Sequence, residues 1–205
     1  MDKLALVESL LPLDNSIACF ERIKALSEKV WKDKAYVDGC WGGQIQKNSK
    51  WKKGLSNEEI DDFEQQIGVP FPDSLRNFYA TMNGLDRKGL DFLGDLNNEP
   101  ELRTQFYSYP LDFDTINERI DWIFEENRIS REEVAEGKAP FVFPYYIHRF
   151  LVFDDNEHAL SMYGSDIIYW ADNLAKGLAK DIFKLYDQQI EMNYYDVQFW
   201  LRDFE

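Results

Sequence analysis

Residues 51–84 read WKKGLSNEEIDDFEQQIGVPFPDSLRNFYATMNG, and the run spells out two bounded helices in succession. Ser56 and Glu59 form an S-x-x-E capping box, in which the serine hydroxyl accepts from the Glu59 amide and the carboxylate reaches back to the Ser56 amide. Leu55 and Ile60 flank the cap as a hydrophobic staple. Ile60, Phe63 and Ile67 then fall on one helical face, and Gly68 supplies a left-handed stop. Pro72 suits the first turn of the second helix, where its missing N–H costs nothing, and Asp73 complements the helix dipole. Leu75, Phe78, Tyr79 and Met82 form the second stripe, which Asn83-Gly84 is expected to end. Two apolar stripes on neighbouring helices need a sheet to cover them.

On the amino-terminal side, Leu4, Leu6, Val7, Leu10 and Leu11 predict a short helix before Pro12, and Ile17, Phe20, Ile23, Leu26, Val30 and Trp31 a longer one. Residues 38–54 are rich in Gly and Lys and read as a loop with a short strand at 44–46. On the other side, residues 84–110 are irregular and acidic, a long loop with one strand at 105–109. Ile116, Ile120, Ile123 and Phe124 predict a helix capped at Asp114 or Thr115, and Ser130–Glu133 opens a one- or two-turn helix closed by Gly137. After Pro140 the period changes. FVFPYY, HRFLVFDD, HALSMYG and DIIYW are short β-rich runs that fit an antiparallel meander. Helical spacing returns at 174–186 and 194–204.

Composition bounds the function. The 205 residues are 44% apolar and carry a net charge of −15, which gives enough apolar material for a sizeable core and makes a phosphate backbone or an anionic membrane a poor partner. The excess is uneven. Residues 1–54 are net +3, residues 55–139 net −12 and residues 140–205 net −6. No run approaches the roughly 18 apolar residues of a membrane helix, and the start MDKLALVESLLPLDNS lacks the pattern of a leader, so a cytoplasmic protein is expected. Cys19 and Cys40 are too few for a disulfide framework and are expected to be reduced.

Chemistry-bearing constellations are sparse. His148 and His158, with Asp154, Asp155 and Glu157, match no zinc spacing, and a turn at 154–157 accounts for the acids, so no metal site is assigned. Neither cysteine has a histidine near it in sequence, and no G-x-S-x-G or H-E-x-x-H occurs. Asp61-Asp62 and Glu125-Glu126 are adjacent on helices and do not face each other. No catalytic residue is assigned. Trp122 and Trp170 read as packing residues, whereas Trp41 and Trp51 lie in the polar loop and are expected to be exposed, as candidate partner anchors. Asp86, Asp91, Asp95, Glu99 and Glu101 crowd a loop that no helix requires; they read either as a recognition surface or as a solvated, solubilising run.

The run from Trp51 to Gly84 resembles the amino-terminal signature of the SUKH superfamily, which includes the yeast cell-wall assembly regulator and many bacterial immunity proteins. The likeness lies in Glu59-Ile60, Phe63-Glu64, Gly68, Phe71-Pro72 and the closing Asn83-Gly84. HALSMYGSDIIYWADNLAKGL at 158–178 looks like the family's late strand pair and following helix, with Asp166-Ile167-Ile168 leading into Trp170-Ala171 and Leu174. The match covers roughly residues 41–185. It implies an α+β fold with a mostly antiparallel central sheet flanked by helices, organised as an amino-terminal helical extension over 1–40 packed on a SUKH-like domain over 41–205. It also implies no cofactor and no catalytic set. The function it implies is a non-enzymatic immunity protein that neutralises a toxin; the alternative is a regulatory or scaffold protein of the cell-wall assembly regulator type. A −15 surface suits a basic toxin domain, and a monomer is expected.

Overall fold

A computed structural model describes residues 3–33, 42–92, 99–185, 187–193, 197 and 199–201. The elements run α1 (Lys3–Leu10), α2 (Ile17–Asp33), β1 (Gly42–Gln44), β2 (Trp51–Lys53), α3 (Asn57–Ile67), α4 (Asp73–Thr81), β3 (Met82–Leu85), β4 (Gly89–Phe92), β5 (Glu101–Arg103), α5 (Phe113–Glu126), α6 (Arg131–Ala135), β6 (Val142–Tyr146), β7 (Arg149–Val152), β8 (Ala159–Tyr163), β9 (Asp166–Ala171) and α7 (Leu174–Phe183). Every strand pairing is antiparallel, so the fold is α+β. The expected meander is the four-stranded sheet β6-β7-β8-β9. Two smaller sheets, β1-β4-β5 and β2-β3, accompany it.

The helix pair forms as its local chemistry dictates. Ser56 Oγ accepts from the Glu59 amide at 3.3 Å, and a Glu59 carboxylate oxygen accepts from the Ser56 amide at 2.7 Å. Gly68 closes α3 at φ 83°, its N–H bonded to the Glu64 carbonyl. Ile60, Phe63 and Ile67 are buried on α3, and Leu75, Phe78 and Tyr79 on α4. Arg76 of α4 clamps the two helices together by pairing with Asp61 at 2.8 Å and Glu64 at 2.5 Å. The second helix stops earlier than its stripe suggests. Met82 already has extended backbone (φ −141°, ψ 125°), and residues 82–85 become β3, which pairs with β2. The cause lies in Asn83, whose side chain donates to the Tyr109 carbonyl at 2.7 Å and accepts from the Tyr109 amide at 2.8 Å. Gly84 follows at φ 71°, where a Cβ would lie 2.7 Å from that of Ser108. Asn-Gly is a strand feature here rather than a helix terminator.

Residues 84–110 are likewise more ordered than their irregular sequence suggests, since they contribute β4 and β5 as a hairpin, and Phe106 makes a single bridge to Tyr146. At α5 the cap position is Asp112, two or three residues earlier than expected, and its carboxylate is taken by the Ser108 amide and hydroxyl. The small helix α6 carries its own capping box at Ser130 and Glu133. The helical spacing at 194–204 falls mostly outside the described residues; of those described there, 199–201 form a turn and 197 is irregular.

The core is continuous from Leu6 of α1 to Trp200. Phe143 of β6 lies 5.8 Å from Phe63, 5.2 Å from Phe71 and 6.0 Å from Tyr79, ring to ring, so the helix pair and the meander share one aromatic cluster. Two residues on, where the register of β6 shifts, Tyr145 meets α7, and the contact demands Gly177: a Cβ there would sit 2.5 Å from the Tyr145 hydroxyl. The long helix α2 packs against α4 and α7, with Phe20, Ile23 and Trp31 fully buried.

Replacing Ser56 with Ala removes half of the α3 capping box, and urea unfolding is expected to show a loss of about 1 kcal/mol. At this chain length that corresponds to roughly 2–4 °C in Tm. An unchanged midpoint would mean that packing alone fixes the start of α3.

Candidate partner-binding surface

The acidic segment is organised by two turns and one arginine. Asp86 sits exposed after β3; one carboxylate oxygen accepts from the Lys50 amide at 2.9 Å and the other lies 3.4 Å from Arg87. Asp91 is on β4, facing Gly43 on one neighbour and Glu101 on the other. It is only 8% exposed. Arg103 approaches both Asp91 and Glu101 at 3.5 Å, so the strand pair brings two of the predicted acids together around a counterion. Glu99 and Glu101 remain exposed. Asp95 and Trp41 lie outside the described residues.

The reading of residues 84–110 as a long loop with one strand at 105–109 is therefore corrected, since β4 and β5 lie at 89–92 and 101–103 and 105–109 holds only the Phe106 bridge, and so is the expected exposure of Trp51. Its side chain is 6% exposed. Its indole N–H donates to Ser27 Oγ at 2.8 Å, and its ring lies 4.6 Å from Phe106 and 5.6 Å from Trp31. The physical reason lies in the neighbours the strand acquires. Along β2 burial falls from Trp51 through half-buried Lys52 to exposed Lys53, with the pairing to β3 shifting register between Trp51 and Lys53, and three Lys around one Trp made a half-buried strand look like a polar loop.

Sequence reasoning missed a second assembly, because its members come from β7, β9 and α7. The Arg149 guanidinium carbon lies 3.5 Å from the centre of the Trp170 ring and Lys180 Nζ 4.3 Å from it. Asp181 accepts from Arg149 at 3.3 Å and from the Trp170 indole at 3.2 Å, and Lys180 also pairs with Asp187 at 2.6 Å. Burial pushes the Asp181 carboxyl up to about 6, and Arg149 and its other donors offset only part of that. No motif within one of these elements announces it, since each contributes only one or two of its residues.

The histidines are parts of the framework. His158 is buried, its Nδ1 lying 2.7 Å from an Asp154 carboxylate oxygen. Asp154 also accepts from the Asn156 and His158 amides, which gives the expected turn at 154–157 its shape. Burial, with Arg149 and Arg119 nearby, holds His148 down to about 4. Cys19 is buried and reduced, and burial raises its thiol. Among the described residues no three His, Cys, Asp or Glu side chains come together in a way that could hold a metal ion, and no helix is long and apolar enough to cross a membrane.

A model of the SMI1 / KNR4 family (SUKH-1) matches residues 54–187. The matched stretch runs from the α3 cap through the meander to the end of α7. No curated protein and no solved structure matches the chain.

The Asp181 assembly sets a pH dependence. Between about pH 4 and pH 6 the folded protein retains a proton on Asp181 that the unfolded chain has released, so this group's contribution to stability falls as pH rises through that window. The fall is at most about 3 kcal/mol, two pKa units at 1.36 kcal/mol each. Asp154 and Asp172, held below their ordinary values, act with the opposite sign and at lower pH. Asp181→Asn should therefore gain stability relative to the parent as pH is raised from 4 to 6.5 in urea unfolding. A pH-independent difference would show that Asp181 ionises normally.

Proposed function

Because the chain belongs to the SMI1 / KNR4 family (SUKH-1), we propose that it is a non-enzymatic immunity protein, which binds and neutralises a cognate polymorphic or contact-dependent bacterial toxin through a basic domain of that toxin. Family membership carries the reading, since bacterial members of this superfamily are mostly immunity proteins. The net charge of −15 supports it: a nuclease-type toxin must be basic to hold its substrate, and an acidic partner gains both affinity and association rate from that. The place of action is the cytoplasm of the producing cell, and the working form is a monomer.

The β4–β5 hairpin is the proposed docking surface. Glu99 and Glu101 are exposed beside it and Asp86 is exposed at the turn before it, while Asp91 sits deeper and sets the local field through Arg103. Trp51, buried against Trp31, Phe78 and Phe106, is left out of this surface.

The test is co-expression of this protein with a toxin domain encoded beside it. Rescue of growth and a stable purified complex are expected. A toxin that stays lethal and forms no complex would overturn the reading and turn attention to the regulator type of function. Within the complex, Glu99→Lys with Glu101→Lys should slow association about 3- to 10-fold at low salt and flatten its salt dependence, leaving dissociation nearly unchanged. An unaltered on-rate would remove the hairpin from the interface.

A further inference from the structure

Three helices begin around one cleft. At α2, Ser16 Oγ caps the Cys19 amide at 3.1 Å and itself donates to Asp14 at 2.7 Å. At α7, the Asn173 side chain caps the Lys176 amide at 2.9 Å. At α4, Pro72 offers no side-chain cap. The three starts are tied to one another: the Asn77 amide donates to the Asn15 carbonyl, the Asn15 side chain accepts from the Ala175 amide, and the Asn173 amide donates to the Leu13 carbonyl. The turn at 154–157 closes the fourth side. The cleft is open to solvent and holds about 500 Å³, and each of its eleven lining residues is Asp, Glu, Asn or Ser. No cationic side chain lines it.

Helix starts draw carboxylates on their own account, and that explains Asp14 and Asp73. It leaves Asp155 and Glu157, which come from a turn between strands. Asp172 is neutralised by Lys176 at 2.5 Å. Asp14 is held below its ordinary value by Ser16. Asp73, Asp155 and Glu157 have no ion-pair partner among the described residues, so the cleft keeps a negative charge that two capped helix ends and one bare one do not cancel. The independent observation is Ser74. It lines the cleft, is 1% exposed, and its hydroxyl has no hydrogen-bond partner. A buried hydroxyl left unpaired destabilises the free protein and marks a place where a hydrogen-bonding group is accepted.

We infer that this cleft receives a basic side chain, lysine or arginine, presented by the protein partner. Such a group brings three to five N–H donors to a lining made of oxygen acceptors and supplies Ser74 with its missing partner. A bare divalent ion does not fit, because no three carboxylates converge closely enough to hold one. The inference rests on the toxin-binding reading for its partner, and it adds a contact that shares no residue with the β4–β5 hairpin.

The experiment needs no toxin. The full chain, labelled with ¹⁵N, is titrated with ethylguanidinium chloride and with n-butylammonium chloride at constant ionic strength. Saturable amide shifts confined to Ser74, Asn77, Asn156, Glu157 and their neighbours are expected, with dissociation constants on the order of millimolar for so small a probe. Asp73→Asn with Glu157→Gln should weaken this binding at least tenfold. Should that pair fail to fold, Asp155→Asn at an exposed turn position serves instead. Ser74→Ala should weaken binding several-fold while leaving Tm unchanged or higher, which a purely structural serine would not do. Shifts spread evenly over the acidic surface, or binding indifferent to these substitutions, would overturn the proposal. So would calcium chloride producing the same local shifts at lower concentration. Any of these results removes the cleft and leaves toxin neutralisation to stand or fall on co-expression.

Discussion

Phe143 is the point at which the two halves of the molecule become one. The capped pair α3–α4 presents Phe63, Phe71 and Tyr79 on one side, and β6 delivers a single ring into the space between them. Fully burying such a ring contributes about 1.5–3 kcal/mol from transfer alone, and favourable ring geometry adds to it. Much else follows from that insertion. It sets which face of the meander the helices occupy, Tyr145 at the β6 register shift then meets α7, and that close approach excludes any side chain at Gly177.

The parts of this architecture legible in the sequence were those specified by neighbours a few residues apart. Both capping boxes, the Gly68 stop and the four runs of the meander involve contacts within one turn or one strand, so residue type and spacing suffice. The parts that were not legible are set by distant partners. Asn83 abandons the helix because Tyr109 takes both ends of its amide, and nothing within five residues announces that. Trp51 is buried because α2, far earlier in the chain, brings Trp31 and Ser27 to it. The oxygen-lined cleft is the extreme case, since its residues come from four separate stretches and each has an ordinary local explanation.

The charge distribution shows how a chain with 38 acids and 23 bases stays folded. Where acids must sit near one another, a fixed cation or a backbone amide stands between them: Arg103 between Asp91 and Glu101, Arg76 between Asp61 and Glu64, and the Ser108 amide on Asp112. Exposed pairs of this kind add little net stability. They do fix where the uncompensated charge remains, and so where the field felt by an approaching molecule is strongest.

The bond from the Trp51 indole to Ser27 has an evolutionary implication. The family match begins at residue 54, yet three residues earlier the chain is anchored into α2, whose Phe20, Ile23 and Trp31 belong to the shared core. The boundary of recognisable ancestry and the boundary of cooperative folding therefore do not coincide. In this chain the amino-terminal helices and the matched stretch share one interior, so a change in either would require repacking of the other.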